Sequence, residues 1–187
     1  MASSSLAGTR LYRGGYARPV HSDERLQTEF AHLDERGAAR MVDVSGKDVT
    51  TRTAHARGRF CTTPEVIGLL RADGLAKGDA LAVARIAAIS GAKRTPDLIP
   101  LCHPVALHGV TVELDVQADS VVIDVTTKTA DRTGVEMEAL TAVAAAGLAL
   151  YDMVKAVDRS ARLTDIQLIT KTGGRTGEWQ RHEGGGE

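Results

Sequence analysis

Val110-Thr111-Val112-Glu113-Leu114-Asp115-Val116-Gln117, followed after Ala118 by Asp119-Ser120-Val121-Val122-Ile123-Asp124-Val125, decides the reading of the fold. Val110, Val112, Leu114 and Val116 alternate with Thr111, Glu113, Asp115 and Gln117, a period of two that only a half-buried strand satisfies. Asp119-Ser120 supplies a turn, and Val121, Ile123 and Val125 resume the alternation, so the two strands form a hairpin. Upstream the period is helical. Thr62 or Thr63 caps a helix with Pro64 and Glu65 in its first turn and Gly74 at its stop. Gly78 to Gly91 follows as a second helix, with Leu81, Ala84, Arg85, Ala88 and Ile89 at helical spacing. Val49 to Gly58 reads as a first strand. Downstream, Thr133-Gly134 opens a long Ala- and Leu-rich helix to about Val157, and Arg162 to Thr172 returns to strand with Ile166 and Leu168 inward. The order strand, helices, strand, strand, helix, strand predicts an α+β fold of the ferredoxin-like, split βαβ kind, with helices on one face of an antiparallel sheet. No internal repeat is visible.

Composition narrows the function. The chain has 187 residues, 23 basic and 24 acidic, so no global field favours nucleic acid or an anionic membrane. Aromatic residues make up 3%, too few for a base-stacking platform. Cys61 and Cys102 form neither a disulfide framework nor paired metal-ligand spacing, which points to a reducing, cytoplasmic setting. The most apolar helix is interrupted by Asp152 and Lys155, and no membrane span is expected. Residues 1–25, with Arg10, Arg13 and Arg18 and no acid before His21, read as a disordered extension, with a transit segment as the alternative. Residues 26–179 read as a single catalytic domain and 180–187 as a flexible tail.

Two segments carry the chemistry. Leu98-Ile-Pro-Leu-Cys-His-Pro104 pins a histidine between prolines, each fixing φ near −65° and steering its predecessor away from helix. Leu101, Cys102 and His103 therefore stand on a stiff platform, where His103 is either a buried structural histidine or a substrate-binding, proton-transferring one. Thr133-Gly-Val-Glu-Met-Glu-Ala-Leu-Thr141 and Tyr151-Asp-Met-Val-Lys155 put acids at the start of the long helix and an Asp/Lys pair at its end. Asp152 and Lys155, three apart, form a solvated ion pair or an acid/base couple. Dipole matching alone would account for Glu136 and Glu138 in the first turn. Glu138 and Asp152 are 14 positions apart, roughly 21 Å along one helix. One reacting centre touches both only if two copies of the helix pack antiparallel in a symmetric dimer.

Lys77 precedes a helix start, where the dipole disfavours a cation, which hints at a phosphate. Arg52, Lys93, Arg94 and the Gly-rich Lys171-Thr-Gly-Gly-Arg-Thr-Gly177 segment extend the basic set. That segment lacks the P-loop ending but could close as a flap on an anion. Together these cations suit a nucleoside triphosphate better than a nucleic acid.

Placed together, these motifs resemble the cyclic pyranopterin monophosphate synthase family of molybdenum cofactor biosynthesis. The resemblance runs from about Phe30 to Trp179. It takes in His32-Leu-Asp-Glu35, Met41-Val-Asp-Val-Ser45 with Lys47, Thr50 and Arg52, Lys77-Gly-Asp79, and Lys93-Arg-Thr-Pro-Asp-Leu-Ile-Pro-Leu-Cys-His-Pro104. The Glu-Met-Glu helix start, Tyr151-Asp-Met-Val-Lys-Ala156 and Lys171-Thr-Gly-Gly-Arg175 complete it. The resemblance implies a lyase that converts 3′,8-cyclo-7,8-dihydroguanosine triphosphate to cyclic pyranopterin monophosphate and releases pyrophosphate. It implies Asp152 as the active-site carboxylate, Lys155 and Lys77 as catalytic lysines, and His103 beside them. Leu101, Cys102, His103, Glu136, Met137 and Glu138 would bind substrate. Arg52, Lys93 and Arg94 would join them as the basic contacts. A hexamer of three dimers with sites at subunit boundaries is implied, and no essential metal or organic cofactor, Mg²⁺ being at most a companion of the triphosphate. Arg132 stands where some members carry Lys.

Two competing readings come from other classes. A non-catalytic, oligomeric purine-nucleotide-binding module explains the cations but not an acid/base pair on an apolar helix. A small metalloprotein would use Cys102, His103 and a carboxylate.

Overall fold

The computed structural model describes residues 38–174 and 177–182. The chain divides into two units, residues 1–42 and 43–187, and of the first only 38–42 are described. The expected extension at 1–25, His32-Leu-Asp-Glu35, Arg175 and the last five residues lie outside the described residues.

Residues 43–187 hold β1 (Thr50–Cys61), α1 (Pro64–Arg71), α2 (Ala80–Lys93), the single turn α3 (Thr95–Leu98), β2 (Leu107–Val116), β3 (Ser120–Asp131), α4 (Glu136–Val154), β4 (Arg162–Thr172) and β5 (Trp179–Gln180). The strands form one antiparallel sheet in the order β2-β3-β1-β4-β5. Its first four members have the split βαβ arrangement, so the fold is α+β and ferredoxin-like. The hairpin read from Val110 to Val125 is the β2–β3 pair, with Val112 opposite Val125 and Leu114 opposite Ile123.

Local chemistry explains most boundaries. The Thr63 side chain accepts the Val66 N–H and caps α1 with Pro64 at its first position. The Asp79 carboxylate accepts the Ala82 N–H at 2.9 Å, so α2 begins at Ala80 rather than Gly78. The long helix starts at Glu136, two residues after the expected Gly134, and has no side-chain cap. It stops at Val154, short of Val157. α3 was not anticipated: a helical turn intervenes before the proline-braced platform. Pairing continues past β4, where Gln180 faces Thr170 and the Arg181 N–H donates to the Ile169 carbonyl, whereas the sequence reading released the chain at 180.

The core lies between the helices and one face of the sheet. Phe60, Ile123, Val125, Val143 and Leu150 are fully buried there. Along α2, Ala80, Ala84, Ala88 and Ala92 are buried, and along α4, Ala139, Ala142 and Ala146. Small side chains let the two helices approach closely: a Cβ on Gly91 would stand 2.6 Å from that of Ala145. Leu168 packs on the core, but Ile166, near Gly58 on the same side, is 41% exposed at the rim. A register shift of β1 against β4 and Asp165 in the left-handed region (φ 54°) break the alternation there.

By length and composition α4 could cross a membrane, contrary to the expectation that Asp152 and Lys155 interrupt it; 56% of that window is buried in the protein. A core helix of this fold has that composition for the same reason, burial on the sheet and against α2.

Candidate active site

The C-terminal end of α4 gathers three of the residues singled out from sequence. Lys155 Nζ lies 2.6 Å from Asp152 Oδ1, and Lys77 Nζ 3.0 Å from Oδ2. Lys77 comes from the loop between α1 and α2, and it also donates to the Asp152 backbone carbonyl at 2.6 Å. This resolves the dipole puzzle. Although it precedes α2, the Lys77 ammonium sits at the end of α4, where exposed carbonyls favour a cation. Hydrogen bonds from Lys155 and then Lys77 hold the Asp152 carboxyl below its ordinary range, and Asp152 in turn raises Lys155. Lys155 is raised rather than lowered because its neighbour is a carboxylate and the group is half exposed.

The N-terminal end of α4 builds a second cluster. Glu136 Oε1 receives the Lys171 ammonium from β4 at 3.0 Å. Glu138 is 3% exposed and forms no ion pair among the described residues. Burial pushes its carboxyl up to about 7, with the Glu136 charge adding and a bond from its own backbone N–H opposing. Burial and then the Glu138 charge raise the Cys102 thiol. Met137, between the two acids, is 36% exposed.

Leu101, Cys102 and His103 are half-buried on the loop from α3 to β2. The Cys102 N–H donates to the Ile99 carbonyl, closing the turn between the prolines. Buried threonines of β3 fix both segments: Thr129 Oγ1 donates to the Ala106 carbonyl at 2.7 Å and Thr127 Oγ1 to that of Val135 at 3.0 Å. His103 is near enough to Asp43 to help depress that carboxyl, after the hydrogen bonds from Ser45. Arg52, on β1, donates from Nε to the Asp131 carbonyl and lies against Gly173 and Gly174, where an added Cβ would meet the Thr51 carbonyl oxygen at the first and the Arg52 guanidinium at the second. Lys93 ends α2 and Arg94 is its C-cap, both exposed.

One chain thus unites Lys77, Asp152 and Lys155, and separately Cys102 with Glu138. The two sets sit at opposite ends of a 19-residue helix, roughly 28 Å long. A groove of about 200 Å³ on the uncovered sheet face, lined by His55, Arg57, Thr111, Glu113, Asp124 and Thr126, contains none of the predicted residues. Among the described residues no group of three or more His, Cys, Asp or Glu side chains could hold a metal ion.

Comparison with known proteins decides what family this arrangement belongs to. The model of the MoaC family matches residues 41–174, more than half of the chain. The chain belongs to the MoaC family. Three relatives are each named cyclic pyranopterin monophosphate synthase. That of Streptomyces coelicolor is 60% identical, covering 88% of this chain and 96% of the relative. That of Streptomyces avermitilis is 63% identical over 83% and 91%. That of Streptomyces griseus subsp. griseus is 62% identical over 86% and 90%. In this MoaC chain both α4 clusters and the proline-braced loop fall within the matched residues.

Two contributors escaped the sequence reading. Asp158 is 6% exposed; its carboxylate accepts from Thr62 Oγ1 (2.8 Å), the Thr63 N–H, and the Ser160 N–H and hydroxyl. It ties the turn after Lys155 to the start of α1, the helix whose following loop carries Lys77. The Asp-x-Ser pattern just past a helix end was its available signal. The Lys171–Glu136 pair had none, since the partners are 35 positions apart and on different elements.

Proposed function

We infer that this chain is a lyase converting 3′,8-cyclo-7,8-dihydroguanosine 5′-triphosphate to cyclic pyranopterin monophosphate with release of pyrophosphate, the second step of molybdenum cofactor biosynthesis. The observation that carries the reading, beside family membership, is the Lys77–Asp152–Lys155 cluster at one helix end. Internal attack on a phosphate needs cations where negative charge accumulates, and Lys77 and Lys155 supply two within reach of one carboxylate. The purine rearrangement needs proton transfers, for which Asp152, the two lysines and His103 are the candidates. For Lys155 to act as a base, substrate must first part it from Asp152, because their pairing favours the ammonium.

Leu101, Cys102, His103, Glu136, Met137 and Glu138 bind the substrate's ring in this reading, with Arg52, Lys93 and Arg94 toward the triphosphate and any Mg²⁺ it brings. A single chain separates the two ends of α4, so the working unit is an oligomer, a hexamer of three dimers, in which neighbouring copies bring opposite ends together. Exposed Ile86 on α2 (69%) and Leu148 on α4 (67%) support an interface on the helical layer. We place the enzyme in the cytoplasm, where Cys61 and Cys102 stay reduced.

The test is to supply the cyclised GTP intermediate and follow pyrophosphate together with cyclic pyranopterin phosphate. Both products appearing supports the reading. Binding without turnover makes the chain a purine-nucleotide-binding module instead.

A further inference from the structure

The regular ladder of α4 breaks just after Lys155. The Val157 N–H donates three residues back to the Val154 carbonyl at 2.8 Å and shares it with the Asp158 N–H at 3.0 Å, a tightened last turn. A regular helix would bring the Ala156 N–H to the Asp152 carbonyl. Among the described residues that N–H does not reach it, and the Lys77 ammonium takes the carbonyl at 2.6 Å instead. Lys77 has its place because the ladder is interrupted.

The local sequence does not impose the break, since Lys155, Ala156 and Val157 include neither Gly nor Pro. Packing of the cluster does not impose it either, because the Lys77, Asp152 and Lys155 side chains are each about half exposed. The turn is held by Asp158, which is buried. Its Oδ1 accepts the Ser160 N–H at 2.8 Å and the Ser160 hydroxyl at 2.7 Å. Its Oδ2 accepts the Thr62 hydroxyl at 2.8 Å and the Thr63 N–H at 3.3 Å. The Tyr151 hydroxyl, donating to the Arg159 carbonyl at 3.3 Å, fastens the same turn to the helix. Resuming the regular ladder would swing Asp158 away from Thr62 and Thr63 and strip a buried carboxylate of donors.

We propose that Asp158 is a positioning residue: it holds the end of α4 in the tightened turn, keeps the Asp152 carbonyl free and so seats the Lys77 ammonium against the Asp152 carboxylate. Without the clamp, the Ala156 N–H takes that carbonyl and Lys77 loses one of its two acceptors. The catalytic consequence rests on the function inferred above; the seating of Lys77 does not.

Lysine-selective ¹⁵N NMR at mildly acidic pH reads the seating without turnover. The Lys77 ammonium of the wild type should resonate apart from free lysines. In Asp158→Asn, where an amide puts a donor in place of one acceptor oxygen, it should join them. The Lys171 signal, from the pair with Glu136 at the other end of α4, should stay where it is. Kinetics with the cyclised GTP intermediate, at a temperature where every variant is folded, reads the consequence. Asp158→Asn should lower kcat about tenfold in the wild-type background and scarcely at all in Lys77→Ala, because it acts through that lysine. A merely structural role would give the same fractional loss in both backgrounds. That result, an unmoved Lys77 signal, or full kcat in Asp158→Asn overturns the proposal. Should Asp158→Asn not fold, Thr62→Val removes one donor and should repeat both changes in smaller measure, with Thr62→Ser restoring wild-type behaviour; identical behaviour of the two overturns it. Absence of wild-type turnover would refute the inferred reaction, and the Lys77 signal would still decide the seating.

Discussion

Lys77 Nζ stands 3.0 Å from Asp152 Oδ2 and 2.6 Å from the Asp152 carbonyl oxygen, across 75 positions of sequence. One ammonium therefore serves a carboxylate and the end of a helix at once, and Lys155 occupies the other carboxylate oxygen. Replacing Lys77, Asp152 or Lys155 by Ala should reduce turnover by roughly 10²–10⁴-fold, the scale of lost proton transfer or charge stabilisation. All three side chains are substantially exposed, so circular dichroism and the thermal midpoint should change little. Near-normal turnover in folded variants would remove these residues from the mechanism.

Asp158 predicts a different phenotype, in stability first. Hydrogen bonds from Ser160 and then Thr62 hold its carboxyl below the ordinary range. A depressed carboxyl contributes stability above its unfolded-state pKa, and that contribution is lost as pH falls through the folded one. Asp158→Asn should therefore lower the thermal midpoint at pH 7 and shrink the difference between pH 7 and pH 3. An unchanged acid limb in thermal melts would contradict this.

Glu138 has the opposite sign. Its carboxyl is raised to about 7, so the folded state loses stability as pH rises from the unfolded carboxylate range to 7, and the loss is complete above that. Denaturant titration should show Glu138→Gln gaining on the wild type by on the order of 2 kcal/mol at pH 8 compared with pH 4. Parallel pH curves for the two proteins would rule this out.

Gly91 sets the spacing of α2 and α4. An added Cβ would meet the Ala145 Cβ at 2.6 Å and the Thr141 carbonyl at 3.4 Å, neither of which is the end of a flexible side chain. Gly91→Ala should destabilise by about 1–3 kcal/mol in urea melts. The displaced end of α2 leads into the platform of His103, so KM should rise as well. A fully stable variant would mean that the helices separate at little cost.

The exposed helical layer makes a prediction about assembly. Ile86→Asp and Leu148→Arg place charges at apolar positions about two-thirds exposed in one chain. Under the proposed assembly, light scattering on the eluting peak should report a smaller mass for each variant than for the wild type, with turnover falling in step if sites are shared between copies. An unchanged mass for both variants would place the interface elsewhere.

Much of this molecule could be read from local pattern. The period of two from Val110 to Val125 settled the β2–β3 hairpin at one edge of the sheet, and Arg162 to Thr172 was bounded as the structure has it, because side-chain alternation is a property of a strand itself. Thr63 and Pro64 marked the start of α1 because an oxygen three residues before an unpaired N–H is a local arrangement, whereas the Asp79 cap of α2 was passed over and that helix was opened at Gly78. The position of Ile166 was misjudged in exposure, since a bulge beside Asp165 depends on how β1 meets β4.

What the chain by itself determined is the order of its elements and the presence of Asp152, Lys155 and Glu138 on one helix, at spacings a 1.5 Å rise converts to distance. Tertiary structure alone decided which charges meet. It turned Lys77 back to the end of α4, gave Lys171 to Glu136 and, among the described residues, left Glu138 without a cation. Hydrogen bonds within a helix or strand are set by neighbours in sequence, whereas the partner of a long charged side chain, and hence the direction of its pKa, is set by whichever distant segment the packed core brings alongside.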